Sequence, residues 1–223
     1  MAGGNLYLEW HGQQYRVRVK VPTRLRPFVG KGKLVHPLHT ANLKEANERK
    51  WVYVTKLKAK LAEYEQAATQ ADPIERQALL LRLSRDNEDT QYETAIRAEQ
   101  IEREQGTSAA RAFAGLASGT LTPLDQHAEA FAVHQGYRQK SATDLTRVLG
   151  WLKDWLRASE LPLAIEHVSR ANAGKFILES LTVGRSQSKA RAYLGFLRQY
   201  WKWLLDAGHV VLRENPWAGQ SLP

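Results

Sequence analysis

Apolar and polar residues alternate strictly between residues 14 and 21. Tyr15, Val17, Val19 and Val21 point one way, and Gln14, Arg16, Arg18 and Lys20 the other. A period of two over this length predicts a strand with one greasy and one cationic face. Leu6 to Trp10 forms a second run, joined to the first by His11-Gly12-Gln13, a short glycine-containing connection of the hairpin kind. Pro22 ends the alternation, and a turn-rich stretch with Pro27, Gly30 and Gly32 leads to a third candidate strand around Lys33 to Leu38, where Pro37 marks an edge or a strand end. The period then changes. Asn42, with Glu45 three residues on, is a capping-box start, and Leu43, Ala46, Trp51, Val54, Leu57 and Leu61 make a helical stripe suited to cover the Tyr/Val face. That packing predicts Arg16, Arg18 and Lys20 in solvent.

Residues 66 to about 115 are rich in Gln, Glu, Arg and Ala. Asp72 followed by Pro73 predicts a helix start, and Ile74, Ala78, Leu81, Tyr92 and Ile96 give a thin, interrupted stripe. One or two exposed connector helices are expected, with a domain boundary between Gly106 and Pro123. From Leu124 the pattern predicts four helices. The first ends near Gly136. The second starts at Ser141, with Asp144 three residues on, and carries Leu145, Val148, Leu149, Leu152, Trp155 and Leu156. The third runs from about Ser169 through Ala173, Phe176, Ile177 and Leu181. The fourth, from Ser186 to Asp206, carries Ala190, Tyr193, Leu194, Leu197, Trp201 and Leu204, with Gly208 as its end signal. The expected fold is mainly α with a small N-terminal β-sheet (α+β), organised as 1–65, a helical connector 66–121, and a helical domain 122–223.

Charge changes the picture. The chain of 223 residues has a net charge of +9 and a pI near 9.8. Residues 1–65 hold 13 Lys/Arg against 5 Asp/Glu, residues 66–122 hold 6 against 9, and residues 123–223 hold 13 against 9. Two basic ends flank an acidic middle, which favours a polyanionic partner, nucleic acid above all. There are no cysteines, so disulfides and thiolate metal sites are excluded. No apolar run approaches the roughly 18 residues of a membrane span, and no signal peptide is evident, so a cytoplasmic location is expected.

The candidate chemistry is therefore recognition. Arg16, Arg18 and Lys20 recur every second residue, about 6.6 to 7 Å apart, a spacing suited to phosphates or base edges in a major groove; Arg24 could extend this row. On the fourth helix, Arg191, Gly195, Arg198 and Lys202 share the face opposite the apolar stripe, and Arg185, Ser188 and Lys189 crowd its start, where free backbone N–H groups favour phosphate. Most tryptophans read as core: Trp151, Trp155, Trp201 and Trp203 in the helical domain, Trp10 and Trp51 at the sheet–helix contact. His36-Pro37-Leu38-His39 has metal-like spacing but reads as a strand end, and Asp125 with Glu129 lacks an acid–base partner. No catalytic residue, metal, cofactor or small-molecule substrate is expected.

Two segments resemble the phage-type tyrosine recombinases, or integrases. One is Tyr15-Arg16-Val17-Arg18-Val19-Lys20-Val21-Pro22, then Leu25-Arg26-Pro27, Gly30, a short strand, and Thr40 with Leu43-Lys44-Glu45-Ala46. It resembles the family's amino-terminal domain, which binds arm-type DNA sites with a three-stranded sheet and a helix. The other is the last hundred residues, with the basic Arg185 to Arg191 start, Trp201-Lys202-Trp203, Gly208 and Asn215-Pro216-Trp217. It resembles the SAM-like core-binding domain. The resemblance implies that the second and fourth helices of that domain face DNA, with Arg138, Lys140, Arg147 and Lys153 as further contacts. It also implies a catalytic domain bearing an Arg/Lys/His/Arg set and a nucleophilic tyrosine. No such series precedes Pro223, so the chain is expected to be the DNA-recognition portion alone, binding two classes of double-stranded site, with a homo-oligomer on DNA open to it. Two other classes stay open: a non-catalytic regulator occupying recombination sites, and a helical protein-interaction module with incidental charge.

Overall fold

The computed structural model describes residues 6–70, 72–84 and 88–223. Three strands form one antiparallel sheet in the order β1 (Leu8–His11), β2 (Gln14–Lys20), β3 (Lys33–Pro37). The hairpin loop is tighter than the expected three residues. Gly12 and Gln13 both take positive φ, 55° and 68°, as the two-residue turns matching strand twist require, and His11 joins the ladder opposite Gln14. A short helix, α1 (Arg26–Val29), closes on Gly30 in the left-handed region and returns the chain to β3.

Helix α2 (Leu43–Ala68) begins where expected: the Asn42 side chain accepts from Lys44 N and Glu45 N. The reciprocal half of the capping box is replaced. Thr40 Oγ1 takes the Asn42 N–H, and the Glu45 carboxylate accepts from the Thr40 hydroxyl and pairs with Arg49. Val17, Val19, Val21, Leu8 and Leu38 pack against Ala46, Val54 and Leu61. The buried stripe passes through Lys50, only 3% exposed, rather than Trp51, which is 53% exposed; position 50 precedes Val54 by one helical turn, and a lysine stem is apolar enough to serve there. Trp10 is likewise half exposed, lying edge-on to Tyr15. Neither tryptophan braces the sheet–helix core as the sequence reading expected.

The chain divides into two compact units, 1–93 and 94–223, so the expected connector is shared between them. Helix α3 (Pro73–Leu83), capped by Asp72, packs on α2, with Ala78 and Tyr64 buried. Helix α4 (Glu88–Gln105) exposes Tyr92 and Ile96. Where a boundary loop was expected, α5 (Thr107–Ser118) forms instead and buries Ala110, Phe113, Leu116 and Ala117. Its i, i+3, i+6/i+7 apolar spacing is helical despite the flanking glycines. Gly115 is needed here, because a Cβ would lie 2.5 Å from the Leu121 side chain.

The C-terminal unit continues with α6 (Ala128–His134), α7 (Gln139–Ala158), α8 (Arg170–Phe176) extended by a π turn (Ile177–Leu181), and α9 (Gln187–Asp206). Helix α7 starts two residues before the expected Ser141, with Arg138 as its N-cap, since nothing in Arg138-Gln139-Lys140 opposes helix. Ser169 and Ser186 cap α8 and α9 with their side chains. Leu145, Val148, Leu149, Leu152, Phe131, Phe176, Leu194, Leu197, Tyr200, Trp201 and Trp217 form one core. Helices α7 and α9 are antiparallel. Tyr193 meets Trp151 and Asp144, while Gln199, further along α9, accepts from Tyr137 just before α7. Among the described residues no helix is long and apolar enough to cross a membrane.

Candidate nucleic-acid interface

The sheet register builds one surface. Directly opposed residues share a face, so Glu9 and Arg16, Arg18 and Val35, and Lys20 and Lys33 all lie on the side away from the α2-facing core. Four cations surround one carboxylate, leaving a net charge of +3. The cations are not equivalent. Arg16 Nε donates to Glu9 Oε2 at 2.8 Å, and its side chain is only 19% exposed; Lys33 Nζ donates to Glu9 Oε1 at 2.9 Å. Arg18 approaches Glu9 only to 4.0 Å and keeps 53% exposure. Lys20 is exposed, with no side-chain partner among the described residues. The expectation that Arg16 stands in solvent among cations alone is therefore corrected: the carboxylate comes from the neighbouring strand, invisible to a reading of β2 by itself.

Glu9 ties all three strands together. Hydrogen bonds from Lys33 first, and then from Arg16, lower its pKa from the usual 4.5 to about 2. A carboxylate whose folded pKa is depressed contributes stability that is present above its unfolded value and lost as pH falls through the folded one. Acid titration of the sheet unit should therefore show a loss of stability between about pH 4.5 and pH 2 that Glu9→Gln lacks. Overlapping acid curves for the two proteins would contradict the bridge. Arg24, the other N-terminal candidate, pairs with Glu65 of α2 and is committed to holding the loop before α1.

On the C-terminal unit the structure divides the expected cations into two groups. Arg185 is structural: its guanidinium donates to the carbonyls of Ser180, Leu181 and Val183 and lies 3.6 Å over the Trp151 ring. Arg198 is structural too. It donates through Nε to Trp217 O at 3.1 Å and through its other arm to Gln220 O, while Asn215 Nδ2 donates back to Arg198 O at 2.9 Å. These two are corrections, since a chain ending or turning beside an arginine offers it carbonyls that no spacing rule reveals. Arg147 is pinned to Asp144 at 2.5 Å, Lys153 to Asp125 at 2.8 Å, and Lys202 to Asp206 at 2.5 Å. Arg138, Lys140, Ser188, Lys189 and Arg191 stand exposed at the starts of α7 and α9, and Arg191 has no partner among the described residues.

Residues 5–66, which span the sheet and most of α2, match a family model described as a domain of unknown function, DUF6538. No curated protein and no solved structure matches the chain.

That match encloses every residue of the cationic sheet face but describes no activity. Among the described residues, no group of three or more His, Asp or Glu could hold a metal ion. His36 of the metal-like spacing stacks on Tyr53 at 4.1 Å instead. Reading from the sequence missed Glu9 and Val35. The hairpin register was the signal for Glu9, because a two-residue turn fixes position 9 opposite position 16.

Proposed function

We propose that the chain binds double-stranded DNA with two modules, the sheet face of its N-terminal unit and the exposed α7 and α9 starts of its C-terminal unit, as the recognition portion of an integrase-type recombinase. The observation that carries this is the outer sheet face, which sets Arg18, Lys20, Lys33 and Arg16 around one carboxylate on three adjacent strands. A strand face with excess positive charge complements the potential of a major groove, where strands of other proteins read DNA. The resemblance to integrases in element order supports the second module, with Lys140 exposed at the start of α7 and Lys189 exposed at the start of α9, toward opposite ends of the antiparallel pair.

Fluorescence anisotropy of the full chain with a labelled random-sequence duplex tests it. With about six phosphate contacts, the log of the association constant should fall with log salt at a slope of roughly −5. A slope near zero, or no binding at about 50 mM salt, would leave the protein-interaction reading in its place.

A further inference from the structure

We infer that Arg18 and Val35 together form the base-reading element of the sheet, accepting a guanine and a thymine on nearby major-groove positions. This rests on the DNA-binding reading above. The two residues oppose each other across β2 and β3, so their Cβ atoms are about 4.5 to 5.5 Å apart on the same face. Of the three other cations on the face, Arg16 and Lys33 are already engaged. Glu9 holds Arg16 and Lys33 at 2.8 and 2.9 Å but approaches Arg18 only to 4.0 Å, which leaves the Arg18 guanidinium, 53% exposed, as the fork able to pair with a new acceptor. Val35 lies 42% exposed among charges, whereas its neighbours Leu34 and His36 turn to the helix side, where Leu34 joins the core and His36 stacks on Tyr53. An aliphatic side chain in that place contributes nothing to the core beneath the sheet, but it presents methyl groups to whatever covers the face.

The chemistry of each side chain selects its complement. A guanidinium fork matches O6 and N7 of guanine, and an aliphatic group matches the C5 methyl of thymine, the one apolar feature of the major groove. Neighbouring strands lie about 4.7 to 4.9 Å apart, between one and two base steps of about 3.4 Å, so the pair reaches adjacent or next-adjacent positions. Lys20, at the far end of the same face, then sits toward the backbone.

The test begins with the full chain and a randomised duplex pool whose bound fraction is sequenced. A guanine with a thymine one or two positions away should be enriched. In the enriched duplex, replacing that thymine by deoxyuridine removes only the methyl group and should weaken binding of the unaltered protein about three- to tenfold. Val35→Asn, which puts a polar amide in place of the methyl groups, should bind the two duplexes equally. Replacing the guanine by 7-deazaguanine should cost about tenfold with Arg18 present, and much less in Arg18→Ala. Because the nucleotide analogues probe the unaltered protein, the outcome does not depend on the variants folding. Indifference of that protein to deoxyuridine, or salt-dependent binding without any enriched sequence, would overturn the inference while leaving DNA binding intact. Failure to bind any duplex would instead remove the reading on which it rests.

Discussion

Reversing Arg18 and Lys20 together, Arg18→Glu with Lys20→Glu, is expected to lower duplex affinity about 100-fold at about 100 mM salt, because two cations are lost and two anions face the phosphates. The outer face then changes from net positive to net negative, with Glu9 no longer outnumbered. Both side chains are exposed and neither anchors the core, so stability should shift by no more than about 0.5 kcal/mol per site. Circular dichroism and anisotropy together check this. An affinity within threefold of the unaltered chain would exclude the sheet face as a contact surface. Arg16→Glu would be a poor substitute: it sets a second carboxylate against Glu9 and breaks a bridge, mixing folding with binding.

Arg198→Ala should produce the opposite separation. Two donations to the carbonyls of Trp217 and Gln220 disappear, and charged hydrogen bonds of this kind contribute about 1.5 to 3 kcal/mol each. Loss of about 3 to 6 kcal/mol from the C-terminal unit is expected, read by chemical denaturation followed through tryptophan emission. Arg191→Ala, seven residues earlier and exposed, should cost no more than about 0.5 kcal/mol while weakening DNA binding. If Arg198→Ala unfolds like the unaltered protein and only DNA affinity falls, the assignment of Arg198 to structure is wrong.

The contrast between these arginines shows what periodicity can and cannot reveal. Positions 191, 195, 198 and 202 do share one side of α9, as the 3.6-residue period requires. What that side meets depends on where the chain goes after Asp206, and the return of Trp217 and Gln220 onto Arg198 is a tertiary event. Arg185 is the same case, drawn away by Trp151 and the carbonyls at the end of the π turn. Strand identity, the mainly helical architecture with its N-terminal sheet, and the α8 and α9 caps were legible because they depend on local spacing and on single capping side chains. Helix α5 was not, because glycines at 106, 115 and 119 read as loop while Ala110, Phe113 and Leu116 supplied a stripe too short to outweigh them. On the sheet, the cationic row was legible and its neutralising partner was not, since Glu9 belongs to a different strand and only the register brings the two together.

The strap that occupies Arg198 reaches further than one side chain. Arg170 Nη1 donates to Ala218 O at 2.6 Å, Gln220 Nε2 donates to Arg170 O at 2.9 Å, and Leu222 packs on the helical core. The final residues thus move as part of the helical body. A dye or a second polypeptide fused after Pro223 would inherit a fixed heading from that body instead of swinging on a tether.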